Sequence, residues 1–417
     1  MFEDIILPQY RIVGSTTYRS RLGSHSSVST SDPENLQAIL ATRINDYSLG
    51  EIRSGNMFEL LGHGIFTSDG EAWARYRQQL KPQFSRDQVS DLEAAERHLQ
   101  ILYRALPQNT SETIDIVPLL FRFTMDVSTE FLFGQSVNSQ TTAVHSEDSG
   151  NKSDLQEEEK FVEAMTYSQE YIIWRLRLSK LWWLARSKKF RDACQTCKDF
   201  TSRFVQSALD TKRSSPPPDE HGKEKFVLLN ALTNETRNPI ELRDQMLHVL
   251  LAGRDTTAAL LAWTIALLSR DPEVYARYRS VVLSHFGTAT APTEPMTFSS
   301  LKACKELTHL LYETIRVYPV NPINSRTAIR DTILPVGGGA DGRSPVAVRK
   351  GEVVTYSSYI LHRRKDLWGE DAEEWRPERW VGRKLGWEFL GFNGGPRVCI
   401  GRMFKVSFSR FRPAFPL

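Results

Sequence analysis

Only four cysteines occur in 417 residues, Cys194, Cys197, Cys304 and Cys399. That is too few for a chain of this length to rest on a disulfide framework. Long apolar runs are equally scarce. The richest window, 246–268, is interrupted by Gly253, Arg254 and Asp255. It reads as a buried helix, and no stretch supplies the ~20 apolar residues of a bilayer span. The first residues, MFEDIILPQY, begin with two acids and a short apolar run, so no secretory leader is expected. A reducing, cytosol-facing environment follows. Charge of one sign is lacking as well: 53 Lys and Arg against 50 Asp and Glu give +3. With no dense basic stripe, no nucleic-acid partner is expected. Internal repeats are absent.

What is present is helical periodicity. Asp32-Pro33-Glu34 opens one helix by N-cap chemistry. Further helices are expected over 73–80, 89–106, 118–133 (ending at Gly134), 238–269, from Asp271-Pro272, and over 298–318. Residues 161–209 read as two long helices joined near Trp182 and Trp183. The stretch 136–154 reads as a loose surface loop, and 214–218 as an interhelical linker. Strand signals are few and late, at 331–335 and 351–356, around the turn GGGADGRSP. A large core and one compact, mainly α domain with a small sheet are the expectation.

The chemistry gathers near the carboxyl end. In FNGGPRVCIG, Phe392, Gly395, Arg397, Cys399 and Gly401 form F-x-x-G-x-R-x-C-x-G. A sulfur ligand to a metal needs a tight loop, close backbone approach and amide donors that lower its basicity. Gly394, Gly395 and Gly401 permit that approach, and Arg397 offers a planar cationic fork to a carboxylate. A lone buried cysteine is ordinarily a small hydrophobe; five matched positions in ten residues set this one apart. Elsewhere, Glu313 and Arg316 lie i and i+3 on a helix face and can pair, as surface residues commonly do. Asp255, Thr256 and Thr257 place an acid and hydroxyls in an apolar helix, either as a kink with a satisfied salt bridge or as a built polar site. Trp73 and Arg77 share a face at i and i+4. Cys194-x-x-Cys197 has no second pair and reads as structural, as does Cys304.

The cysteine segment resembles the haem-binding loop of the cytochrome P450 family, and the likeness extends over 13–401. The resemblance implies the P450 fold, a helical bundle around a haem with a small β-rich subdomain. It implies heme b with Cys399 as axial thiolate to the iron. In the family, E-x-x-R pairs with a later arginine in P-E-R-W. Here Pro377-Glu378-Arg379-Trp380 supplies it, making Glu313, Arg316 and Arg379 a structural triad that braces the haem loop. AGRDTT is similar to the family's A-G-x-D-T-T, which casts Asp255 and Thr256 as the catalytic pair delivering protons to bound dioxygen. Trp73, Arg77 and Arg326 are the implied propionate partners, with Phe392, Arg397 and Gly401 completing the cofactor set. His362 is either a further propionate partner or a core histidine.

The likeness is greatest to the fungal branch of n-alkane and fatty-acid terminal hydroxylases, through DPENLQAILAT, LLGHGIFTSDGEAWARYRQQLKPQFSRDQVSDLE, FLFG and NSRTAIRDTILPVGGGADG. It implies hydroxylation of an apolar small molecule (alkane, fatty acid or lipophilic secondary metabolite) with O2 and electrons from NADPH-cytochrome P450 reductase. It also implies the cytosolic face of the endoplasmic reticulum. Phe58, Leu61, Ile65 and Phe66 would line a substrate channel, Gln245, His248, Val249 and Ala252 would face the haem cavity, and 320–324 would lie opposite. Residues 171–189 offer either a surface for peripheral membrane contact or an ordinary helix pair. Two features depart from the family: the chain opens without the anchor of microsomal relatives, and 403–417 do not resemble the usual continuation, with Pro413 and Pro416 ending any helix early. The expectation is a single P450 domain over 1–417, truncated at both ends with an atypical tail. A second reading is an inactive haem-binding remnant or a mis-predicted gene.

Overall fold

The computed structural model describes residues 10, 12–22, 25–84, 92–107, 113–144, 152–210, 226–288, 291–294 and 296–402. The expected linker at 214–218 and the tail at 403–417 lie outside them. Several helices start where the sequence supplies an acceptor for their unpaired amides. Asp32 accepts from the Glu34 N–H and Pro33 fills the first turn of α1 (Pro33–Gln37), which runs on as a π-turn over Ala38–Thr42. Next come α2 (Glu51–Leu61), α3 (Gly70–Leu80) and α4 (Glu93–Arg104). Asp115 caps α5 (Ile116–Phe133), and Gly134, at φ 79°, terminates it in the left-handed conformation that glycine adopts without a Cβ penalty.

The stretch expected as a loose loop contains a short helix, α6 (Ser139–Val144). Its cause is tertiary. The buried Asp126 of α5 accepts from the Ser139 N–H (2.6 Å), the Ser139 hydroxyl (2.7 Å) and the Gln140 N–H (3.1 Å), so a distant side chain caps the helix. Two long helices, α7 (Lys152–Arg177) and α8 (Lys188–Asp210), are joined through a 3-10 turn at Ser179–Leu184. They are followed by α9 (Leu228–Thr233), α10 (Pro239–Leu268) and α11 (Pro272–Phe286), the last capped by Asp271. The single helix expected over 298–318 is in fact two, α12 (Phe298–Ala303) and α13 (Lys305–Val317), because Cys304 adopts ψ 89° between them. Short helices α14 (Ser358–Leu361) and α15 (Lys365–Trp368) complete the set among the described residues.

Strands are more numerous and earlier than their sequence signal. One sheet has the order β1-β2-β7-β4-β3, with β1 (Thr17–Leu22), β2 (His25–Thr30), β3 (Tyr47–Ser48), β4 (Ile323–Ala328) and β7 (Val353–Ser357). β2 and β7 run parallel and the other neighbours antiparallel. The two strands read from the sequence are not partners. β5 (Thr332–Gly338) instead pairs with β6 (Ser344–Val348), because the Gly-rich turn folds back at once, with the Gly337 N–H donating to the Gly342 carbonyl at 2.7 Å. β1 and β2, rich in Ser, Thr and Arg, carry little apolar alternation, so pairing rather than periodicity forms them.

Contacts divide the chain into two compact units. One comprises Met1–Gly50 and Trp263–Arg402, the other Glu51–Ala262, with 403–417 outside the described residues. The first holds all seven strands and packs Val28, Leu36, Ile39, Leu40, Val354, Leu361 and Leu390 into one apolar core. The second is helical. No helix among the described residues is long and apolar enough to cross a membrane.

Candidate functional site

The Cys399 loop is closed by its own backbone. The Asn393 N–H donates to the Leu390 carbonyl (3.1 Å), the Val398 N–H to Gly395 (3.0 Å) and the Cys399 N–H to Phe392 (2.9 Å). Asn393 at φ 61° and Gly395 at φ 64° make the reversal. Two glycines are required by what lies beside them. A Cβ on Gly395 would sit 1.9 Å from the Leu40 carbonyl oxygen, and one on Gly394 2.4 Å from the Trp387 ring. The loop thus seats against the π-turn at Ala38–Thr42. Gly401 differs: a Cβ there would meet nothing among the described residues within 4 Å. Cys399 is a free, partly exposed thiol. Arg397 is half-buried two residues before it, and the Phe392 ring lies 6.1 Å from that of Tyr312.

Behind the loop is a fully buried ion network. Arg316 forks onto Glu313 (Nε to Oε2 2.8 Å, Nη2 to Oε1 2.7 Å), and both side chains are 0% exposed. Its remaining donors go to the carbonyls of His362 (2.7 Å), Glu374 (2.7 Å) and Ala372. Glu313 also accepts from Trp380 Nε1 (3.0 Å) and the Arg376 N–H (2.8 Å). Arg379 touches Glu313 at 3.4 Å but bonds more closely to Asp371 (2.9 Å) and the Trp368 carbonyl (2.7 Å). Every charge is paired and hydrogen-bonded, the condition under which buried ions are tolerated. The motif pair was legible in the sequence. Trp380, Asp371 and the backbone partners carried no signal there, being brought to Glu313 and Arg316 by folding over 46–67 residues.

His362 had two readings open. Of the two roles open to it, the structure gives the core one: it is 0% exposed with both ring nitrogens in use. Nδ1 donates to the Arg316 carbonyl (3.1 Å), which fixes the tautomer, and Nε2 accepts from the Leu390 N–H (2.9 Å). No N–H is left for a propionate. Burial, helped by the Arg316 charge, lowers its pKa to about 3. The residue therefore clasps α13 to the segment leading into the cysteine loop. Arg326 is the converse case. It is 4% exposed, and only its Nη1 is bonded, to Asn324 Oδ1 (3.2 Å) and the Ser325 carbonyl (2.7 Å). Nε and Nη2 make no hydrogen bond among the described residues; the guanidinium lies 5.8 Å from the Tyr356 ring centroid, and no described carboxylate pairs with it.

The other expected residues lie in the helical unit. Trp73 and Arg77 share a face of α3, with the guanidinium 5.7 Å from the indole centroid. On α10, successive side chains diverge. Arg254 is buried among α5 and α7, donating to Gln169 (3.2 Å) and Thr166 (2.7 Å) and lying over Phe121. Asp255 keeps an ion pair with Arg254 at 3.5 Å, but its Oδ1 has no hydrogen-bond partner. Burial holds the Asp255 carboxyl above the ordinary range, against the lowering effect of Arg254. The Thr256 hydroxyl donates to the Ala252 carbonyl at 2.6 Å. Gln245 and His248 are buried: Gln245 donates to Gln79 (3.3 Å), and His248 Nδ1 accepts from the Phe66 N–H (3.4 Å). Leu61 is fully buried, whereas Phe58 is 45% exposed.

Cys399, Phe392, Arg397, Gly401, Arg326 and the Glu313 network are thus together in one unit, and Trp73, Arg77, Asp255 and Thr256 in the other. The profile of the family described as Cytochrome P450 matches residues 9–405. The chain is 46% identical over 411 residues to cytochrome P450 monooxygenase g430 of Fusarium sp, covering 96% of this chain and 71% of that protein. It is 44% identical over 398 residues to cytochrome P450 52A3-A of Candida maltosa, covering 94% and 75%. Against cytochrome P450 52A1 of Candida tropicalis the figures are 42% over 387 residues, 91% and 70%.

Proposed function

The chain belongs to the cytochrome P450 family, and from that premise we propose that Cys399 is the axial thiolate of its heme b and that its substrate is a hydrocarbon chain, an alkane or fatty acid. As a member of the family it is a monooxygenase acting on an apolar substrate. When bound, the haem supplies dioxygen activation and insertion of one oxygen atom into a C–H bond, using electrons that NADPH-cytochrome P450 reductase would deliver.

The single observation that carries the reading is the mounting of Cys399. Its amide closes the loop on Phe392, and His362 couples the segment leading into that loop to the fully paired Glu313 and Arg316. Preorganisation of this kind holds a ligand at fixed geometry. The neighbouring residues fit an anionic cofactor. Arg326 is a buried cation short of a carboxylate, and a haem propionate supplies one. Arg397 would serve as a second cationic contact and Phe392 as an apolar one. The family resemblance assigns Trp73 and Arg77 of α3 to a haem propionate as well.

Proton delivery falls to Asp255 and Thr256. The raised carboxyl affinity for protons keeps Asp255 a usable donor nearer neutral pH. Thr256 anchors its hydroxyl on Ala252, leaving lone pairs to accept from water. We take residues 1–417 as one P450 domain. Ile173, Trp174, Leu181, Trp183 and Leu184 are all between 47% and 59% exposed, beside Arg177, Lys180, Lys188 and Lys189. An apolar surface with a cationic border suits peripheral contact with an anionic bilayer, at the cytosolic face of the endoplasmic reticulum.

The test is the Soret band of the reduced carbon-monoxide complex, followed by turnover of dodecane and lauric acid with reductase and NADPH. A haem-loaded chain without the thiolate red shift refutes the ligand assignment. A red shift that Cys399→Ser abolishes, with no hydroxylation of either chain, refutes the substrate class alone.

A further inference from the structure

Away from the Cys399 loop, a second group of metal-competent side chains converges. His285, Cys304 and Glu306 each bring one ligand atom to within 4.8 Å of the others. They come from three places: the last turn of α11, the break between α12 and α13, and the first turn of α13. Cys304 Sγ and Glu306 Oε2 are 3.8 Å apart. Two ligands on one tetrahedral zinc ion, with Zn–S near 2.3 Å and Zn–N or Zn–O near 2.0 Å, stand about 3.5 Å apart. Rotation of two exposed side chains, His285 and Glu306, closes the difference. Three protein donors leave one position for water.

The surroundings favour ligation at each residue. The His285 Nδ1 lies 3.0 Å from the Val281 carbonyl, which can only accept, so Nδ1 carries the proton and the lone pair resides on Nε2. A second ring nitrogen held by a carbonyl is how proteins orient metal-binding imidazoles. Cys304 is the N-cap residue of α13 and makes no side-chain capping bond. The residue stands at the N-terminus of a thirteen-residue helix, whose dipole favours a thiolate over a thiol. The soft sulfur, with imidazole and one carboxylate, selects zinc over magnesium or calcium.

We propose that His285, Cys304 and Glu306 form a site for a divalent transition cation, zinc by preference, which ties the end of α11 to the start of α13. The site stands apart from the haem assignment, and α13 is the helix that carries Glu313 and Arg316.

The experiment uses the full 417-residue chain, haem-loaded, purified without a polyhistidine tag, stripped with EDTA and titrated with zinc chloride. Bound zinc is counted by mass spectrometry, and its ligands are read at the zinc absorption edge, to which haem iron is silent. One tight equivalent is expected, with one sulfur in the first shell. His285→Gln and Glu306→Gln, both at exposed positions and so compatible with folding, are expected to weaken binding at least tenfold. Cys304→Ser is expected to remove the sulfur shell, while Cys194→Ala/Cys197→Ala leaves binding intact. No tight equivalent, a shell without sulfur, or binding unchanged in His285→Gln and Cys304→Ser would each overturn the proposal.

Discussion

Replacing Glu313 by alanine removes the centre of the buried network, and its cost can be built up from the contacts. Arg316 loses both bonds of its bidentate pair while remaining fully buried. Breaking one side of such a pair costs about 3–5 kcal/mol, because an uncompensated charge stays inside. Trp380 Nε1 and the Arg376 N–H lose their acceptor as well, at roughly 1 kcal/mol or more each. The sum is about 5–7 kcal/mol, against a total stability of about 5–15 kcal/mol for a typical domain. Glu313→Ala should therefore be largely unfolded at 25 °C or melt many degrees lower, and should fail to retain haem through the His362 clasp. Arg379→Ala should cost less on the Glu313 side, since that contact is 3.4 Å. The double variant Glu313→Leu/Arg316→Met should recover part of the loss, though not all, because the carbonyls of His362, Ala372 and Glu374 lose their donor. Urea unfolding followed by far-ultraviolet circular dichroism, with the Soret band for haem, measures this. A Glu313→Ala loss under about 1 kcal/mol, or a double variant that costs the sum of the singles, refutes the reasoning.

Three further outcomes follow from single positions. Gly395→Ala must hold φ 64° with a Cβ 1.9 Å from the Leu40 oxygen, so it should lose more than about 2 kcal/mol and haem uptake with it, whereas Gly401→Ala should unfold at the wild-type urea concentration. His248 and His362, both lowered to about 3 by burial from the ordinary 6.5, stay neutral in the fold while the unfolded chain protonates them. Stability is therefore full above about pH 6.5 and falls as pH drops toward 3, by about 2 kcal/mol per histidine at pH 5. Urea midpoints at pH 7 and 5 should show that drop, halved in His362→Gln; a flat profile contradicts it. Thr256→Val and Asp255→Asn should leave substrate binding spectra intact yet lower product formed per dioxygen consumed by roughly tenfold or more, and undiminished coupling in both would remove the pair from proton delivery.

The sequence by itself determined the family, the cysteine, the E-x-x-R and P-E-R-W partners and several helix starts. Those are local quantities: a ten-residue pattern, a 3.6-residue period, or an acid or proline at a helix end. It could not show that Cys304 breaks a periodic helix, that Asp126 caps α6, or that β1 and β2 are strands at all, because each depends on a partner far along the chain. It left His362 open for the same reason. An imidazole's role is set by which atoms reach its two nitrogens, and here Arg316 and Leu390 arrive from 46 residues before it and 28 after. Only the tertiary structure made the cysteine loop rigid. Its motif names the ligand, but the Leu40 carbonyl, the Trp387 ring and the His362 clasp hold it in place, and none of them lies within that motif.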